Sequence, residues 1–122
     1  MEKICLDSCA ALEFLKGEPT IVEKIKYYSD EEICITTPTI FELMISVRKT
    51  EIVDQFVKNI TTFPFNESSG IIASRVYKEL KEIGIFHPVK NIINAAICID
   101  NNAFLFTTQR KNYEKIRRLK LV

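Results

Sequence analysis

The sequence predicts an α/β domain with a central, mainly parallel sheet of four to five strands flanked by helices. Two observations carry that expectation. Four short apolar runs, at residues 4–6, 33–36, 60–63 and 103–106, read as buried strands, and a weaker fifth lies at 119–122. Segments with helical periodicity separate them, and such alternation marks a parallel sheet crossed over by helices. No internal repeat, low-complexity tract or linker interrupts the pattern.

The helices announce themselves in order. After the first strand, Asp7 leads directly into an amphipathic run from Ala10 to Leu15, which Gly17 stops. Pro19 suits the first turn of a second helix ending near Ser29. Thr37 and Pro38 form an N-cap and first-turn pair for a third, whose Ile40, Leu43, Met44 and Val47 recur at i, i+3, i+4, i+7. A fourth carries Ile52, Val53, Phe56 and Val57. Asn66 caps a long fifth helix with Ile72, Val76, Leu80 and Ile83 facing inward and Gly84 at its end. Residues 92–99 are apolar nearly all round, as in a buried central helix. A short basic helix over residues 110–118 closes the chain.

Bulk properties narrow the classes. A chain of 122 residues fits one compact domain spanning 1–122. Hydrophobic content of 47% with 27% charged residues is ordinary for a soluble globular protein. A net charge of +1 excludes a basic footprint over the whole molecule, so nucleic acid would have to be met by a local patch. No apolar run approaches the roughly 20 residues needed to span a bilayer. Met1-Glu2-Lys3 enters the first strand at once and leaves no room for a signal peptide, so a cytoplasmic location is expected. Cys5, Cys34 and Cys98 lie in apolar segments and read as core thiols, while Cys9 follows the Asp7 turn. Without CxxC spacing, and with His87 as the sole histidine, structural zinc is not expected.

Asp7 is the most informative residue. Ligands of open parallel sheets bind at the carboxyl ends of strands, and a carboxylate buried there unpaired is costly. It reads either as a ligand-facing group or as a helix N-cap, a task Ser8 could equally fill. Glu42 lies two positions from Ile40, about 200° around the helix from the apolar stripe. Both carboxylates therefore emerge at one sheet edge, which Thr107, Thr108 and Gln109 reach after the fourth strand. Such an oxygen-rich set suits magnesium or manganese. Asn91 and Asn94 share a face of the central helix at i, i+3. Each is either a ligand or structural: Asn91 as a cap, Asn94 bonded to a neighbouring backbone group. Asp100, nine residues along, points about 180° away from Asn91. The cations Arg110, Lys111, Lys115, Arg117, Arg118 and Lys120 form a solvated face or a phosphate-binding patch.

These features, in their order and spacing, resemble the PIN-domain family, especially the toxin ribonucleases of VapBC-type toxin–antitoxin pairs. Ile4-Cys5-Leu6-Asp7-Ser8 is similar to the family's apolar strand ending in Asp-Thr or Asp-Ser. Residues 36–43, Thr-Thr-Pro-Thr-Ile-Phe-Glu-Leu, resemble its second motif, in which a Glu opens a helix. Residues 63–84 resemble the helix before its third motif, and residues 103–108 its final strand and threonine. The resemblance covers nearly the whole chain. It implies a three-layer PIN-like domain and a metal-dependent ribonuclease with an acidic quartet, holding Mg2+ or Mn2+ at Asp7, Glu42 and Asn91. Ser8, Thr107, Gln109 and Asn94 would be auxiliary, and Arg110, Lys111 and Lys115 would meet RNA. It further implies an antitoxin protein partner and a homodimer.

This sequence departs from the quartet. The third acid falls on Asn91, the fourth near Gln109 or Asn112, and Cys9 stands where the family often has Asn. Two magnesium ions about 4 Å apart need several carboxylates to neutralise them. A single ion held by two carboxylates and completed by RNA phosphate is therefore expected, positioning a water for attack on the phosphodiester. The alternative is a degenerate PIN domain that binds RNA or a protein partner without cutting. A phosphoacceptor Asp7 is disfavoured, because no second acid adjoins it and no Lys directly follows the last strand.

Overall fold

The computed structural model describes residues 1–122 throughout. In chain order it contains β1 (Lys3–Leu6), α1 (Ser8–Leu15), α2 (Pro19–Tyr27), β2 (Glu32–Thr36), α3 (Thr37–Ser46) and α4 (Thr50–Lys58). There follow β3 (Thr61–Phe63), α5 (Glu67–Glu82), α6 (Val89–Asp100), β4 (Phe104–Phe106), a 3₁₀ turn at Arg110–Asn112, and β5 (Lys120–Leu121). The strands lie in the order β3-β2-β1-β4-β5, and every neighbouring pair is parallel. The predicted α/β class and the weak fifth strand are both present.

Side chains alternate across a strand, and β1 shows the consequence. Ile4 and Leu6 face one layer with α1, α2, α3 and α4, whereas Cys5 joins the core beneath α5 and α6. Cys5 is registered against Cys34 on one side and Leu105 on the other. The result is three layers, with both faces of the sheet covered as parallel strands require.

Strand order reverses beside β1. The chain runs outward through β2 and β3, then returns across the sheet through α5 and α6 to place β4 on β1's other side. In such sheets the carboxyl ends of the strands flanking the reversal open a crevice. Asp7 and Thr107, the residues that follow β1 and β4, stand there.

Helix ends follow the sequence closely. Asn66 caps α5 by accepting from Ser69 N at 3.1 Å, and Ser69 Oγ accepts from Asn66 N at 2.8 Å. Gly84 follows α5 with φ 74°, a left-handed conformation in which a Cβ is strained, and Ile85 N closes the end on Leu80 O at 2.9 Å. Asn102 takes the same role after α6 at φ 53°, which Asn tolerates better than most residues.

Three expectations are corrected. The cap of α3 is Thr36 rather than Thr37: Thr39 N donates to Thr36 Oγ1 at 3.2 Å, while Thr37 Oγ1 accepts from Phe65 N. Ile83 is the C-cap of α5 and 63% exposed instead of facing inward. The basic helix at 110–118 is a single 3₁₀ turn followed by further turns. Its buried anchors, Tyr113, Ile116 and Leu119, recur every third residue, and each donates its N–H to the carbonyl three residues earlier. A three-residue period fits that tighter path, not an α-helix. No helix is long and apolar enough to cross a membrane.

Candidate functional site

Asp7 serves both readings the sequence left open. Its Oδ1 accepts from Ala10 N at 2.9 Å, capping α1, and its Oδ2 accepts from Thr107 Oγ1 across the β1–β4 crevice. Ser8 is not the cap; it lies inside α1 and donates from Oγ to Glu42 Oε2 at 3.2 Å. Asp7 is buried. Burial pushes its pKa up, the bonds from Thr107 and Ala10 oppose the rise, Glu42 adds to it, and Lys90 opposes it. Ser8, the residue after Asp7, bonds Glu42, which brings the two carboxylates to the same edge of the sheet.

Lys90 is the residue that sequence reasoning missed. Its Nζ lies 3.0 Å from Glu42 Oε2, and Glu42 raises its pKa through both the hydrogen bond and the charge. The signal was there: Lys90 stands in the first turn of α6. A cation is poorly placed there, because the helix end is already partially positive. Tyr113 was also missed; it is buried against Asn94, and burial together with the Asp7 charge drives its hydroxyl's pKa up.

The asparagines divide. Asn94 is structural: its Oδ1 accepts from Thr36 Oγ1 at 2.6 Å, and its Nδ2 donates to Thr39 Oγ1 at 3.4 Å, fixing α6 against the start of α3. It bonds side chains rather than the backbone group expected. Asn91 does not cap α6, because Pro88 occupies that position. Asn91 is only 6% exposed, and its amide takes no part in the hydrogen bonds that fix Asn94. Beyond β4, Gln109 turns its side chain to Asn112, whose Nδ2 donates to Oε1 at 2.9 Å, while its backbone N donates to Thr107 Oγ1. Arg110 is tied to Val122 O at 2.8 Å, and Lys111 and Lys115 are exposed. Asp100 accepts from Ser68 at the far end of α6.

The donor set can be weighed against a divalent ion. Both oxygens of Asp7 and Oε2 of Glu42 already accept hydrogen bonds, and no three acidic, histidine or cysteine side chains converge. Asp7, Glu42 and Lys90 sum to one negative charge. A divalent ion about 4 Å from the ammonium would be repelled by about 2 kcal/mol in a water-like medium and about 8 kcal/mol at an effective dielectric of 20. Lys90's side chain is 58% exposed, which favours the lower figure. The net charge these residues offer a divalent ion is therefore smaller than the one a full acidic quartet supplies.

A second feature lies on the other side of β1. Phe14, Leu15, Ile25, Ile52, Phe56 and Ile60 line an open apolar groove of about 400 Å³ between α1, α2 and α4. Phe14 and Phe56 meet with ring centres 5.7 Å apart, and Ile52 is 49% exposed. Of the apolar stripe on α4, Val53 alone is fully buried.

Together these define a three-layer, PIN-like α/β domain with two carboxylates and one lysine at the carboxyl edge of its sheet and an apolar groove between α1, α2 and α4. The chain superposes on a chain of VapBC2 from Rickettsia felis, solved bound to a promoter DNA fragment, with a TM-score of 0.87 and 19% identity over 98% of this chain and 97% of that one. DNA-bound VapBC from Salmonella typhimurium gives 0.88 at 18% identity, covering 100% and 98% of the two chains. A toxin–antitoxin complex from Klebsiella pneumoniae gives 0.80 at 13% identity, covering 95% and 94%. At these identities the likeness is one of fold, the fold of VapBC-like toxin–antitoxin proteins. No family model and no curated protein matches the sequence.

Proposed function

We propose that this chain is the PIN-fold half of a toxin–antitoxin-type pair, one that holds a protein partner in its apolar groove and does not hydrolyse RNA. The groove carries this reading. A sheet face whose helices leave Ile52 and Phe56 half-covered is completed by an apolar helix or strand from another chain. The fold is shared with proteins solved as toxin–antitoxin assemblies. The absence of cleavage is inferred from the donor set, in which Asn91 supplies no charge and Lys90 already answers Glu42.

The test is co-purification with the product of a small reading frame adjoining its gene. The two products should co-elute, and Ile52→Asp should separate them. Burying an unpaired carboxylate in an apolar site costs several kcal/mol, equivalent to at least about a hundredfold in affinity. Co-elution that survives Ile52→Asp would remove the groove from the interface. For the cleft, single-stranded RNA incubated with the chain and excess manganese should remain intact; metal-dependent cutting would restore the ribonuclease reading, with Asp7, Glu42 and Asn91 as its ligands.

A second copy is the occupant we propose for α3's outer face, where Phe41 and Ile45, one turn apart, are 66% and 70% exposed. Ile45→Glu should convert a sedimenting dimer to a monomer.

A further inference from the structure

We propose that Lys90 is the resident cation of the cleft: its ammonium stands on Glu42 where a divalent ion would bind, and keeps that ion out. The inference rests on the non-cleaving reading above and names the residue responsible for it.

Three observations converge. The sequence has 17 lysines and arginines and 16 acids, yet the one ion pair within 4.0 Å joins Lys90 to Glu42, in the cleft where the sequence places its two site carboxylates. Glu42 Oε2 is the shared acceptor of two donors, Ser8 Oγ at 3.2 Å and Lys90 Nζ at 3.0 Å, so the arrangement is built from both α1 and α6. Lys90 gains nothing from its own helix, since the first turn disfavours a cation; Glu42, 48 residues away, is its partner. The neighbouring Asn91 is neutral and nearly buried, so no third charge offsets the lysine.

The charge ladder yields a graded test. Removing the ammonium leaves Asp7 and Glu42 as two uncompensated carboxylates, and an acid at Asn91 would make three. Manganese uptake by the full chain, followed by electron paramagnetic resonance of the free ion, reads this without any activity assay. Lys90→Met should bind manganese at least about tenfold more tightly than the unaltered chain, a change of about 1.4 kcal/mol. Lys90→Arg, which keeps the charge, should behave like the unaltered chain. Lys90→Met with Asn91→Asp should bind more tightly again, and Lys90→Met with Glu42→Gln should lose the gain. Lys90 is exposed, so its replacement leaves the fold intact, and unfolding temperature verifies this for every variant in the series.

Equal affinity in Lys90→Met and the unaltered chain overturns the proposal, as does a gain in Lys90→Arg matching that in Lys90→Met. Two controls separate it from the reading it rests on. Ile52→Asp should lose the partner and leave the manganese series unchanged. Cutting of RNA by the unaltered chain would overturn the non-cleaving reading, whereas a flat manganese series overturns the role of Lys90 alone.

Discussion

Beneath α5 and α6, 16 core residues are buried and five apolar neighbours are half-covered; on the opposite face nine are buried and 14 are half-covered. The same strands feed both faces with similar side chains, so the difference comes from the helices. One face is closed by two long helices of 16 and 12 residues, the other by four of eight to ten. Four short helices leave a seam where three of them meet, and the groove is that seam. One face holds the domain together, and the other leaves apolar surface for a second chain.

The largest test of this contrast is truncation. Leu105→Ala in the closed core should cost about 2–5 kcal/mol in urea unfolding, the range for a fully buried leucine. Ile52→Ala, on the rim of the groove, should cost about 1 kcal/mol, because about half of its surface stays in water on folding. Equal costs would mean the open face is as closed as the other.

The next effect concerns Asp7. Its folded pKa is raised, so the native state holds that proton more tightly than the unfolded chain does. The resulting stability is present below the ordinary aspartate value of 3.8 and is lost as pH rises through the folded pKa. Asp7→Asn keeps a capping oxygen and can still bond Thr107; it should unfold at the same temperature or higher at pH 7 and flatten that pH dependence. Asp7→Ala removes both bonds and should cost about 1–2 kcal/mol. A loss in Asp7→Asn as large as that in Asp7→Ala would show that the charge, not the bonds, holds the crevice closed.

The smallest effect is expected at Lys111 and Lys115. Replacing both with Ala should leave unfolding within about 0.5 kcal/mol, since neither is buried. Where RNA is retained at all, two lost phosphate contacts should flatten its salt slope by about 1.4. An unchanged slope returns the pair to a solvated face. Arg110 is left out because it ties Val122 O.

Local physics was legible residue by residue. The two-residue alternation at Ile4, Cys5 and Leu6, the Asn66 cap and the Gly84 stop each act within a few positions, where side-chain chemistry and backbone sterics decide the outcome. The same locality placed Asp7 at the end of its strand and Glu42 within the first two turns of the helix after β2. It failed at Thr37, where a threonine one position earlier took the cap, and at 110–118, where a period of three was read as a helix.

The sequence by itself thus determined the strands, most of the helix boundaries before residue 100, and the elements that carry the two carboxylates. Only the tertiary structure decided what those carboxylates meet. Thr107 reaches Asp7 across 100 residues, and Lys90 reaches Glu42 across 48. Neither partner can be named from local sequence, because each contact exists only once β4 has paired beside β1 and α6 has crossed the sheet. A hydrogen bond or ion pair acts over about 3–4 Å, so its partner is selected by the path of the whole backbone and not by the residue type that the sequence displays.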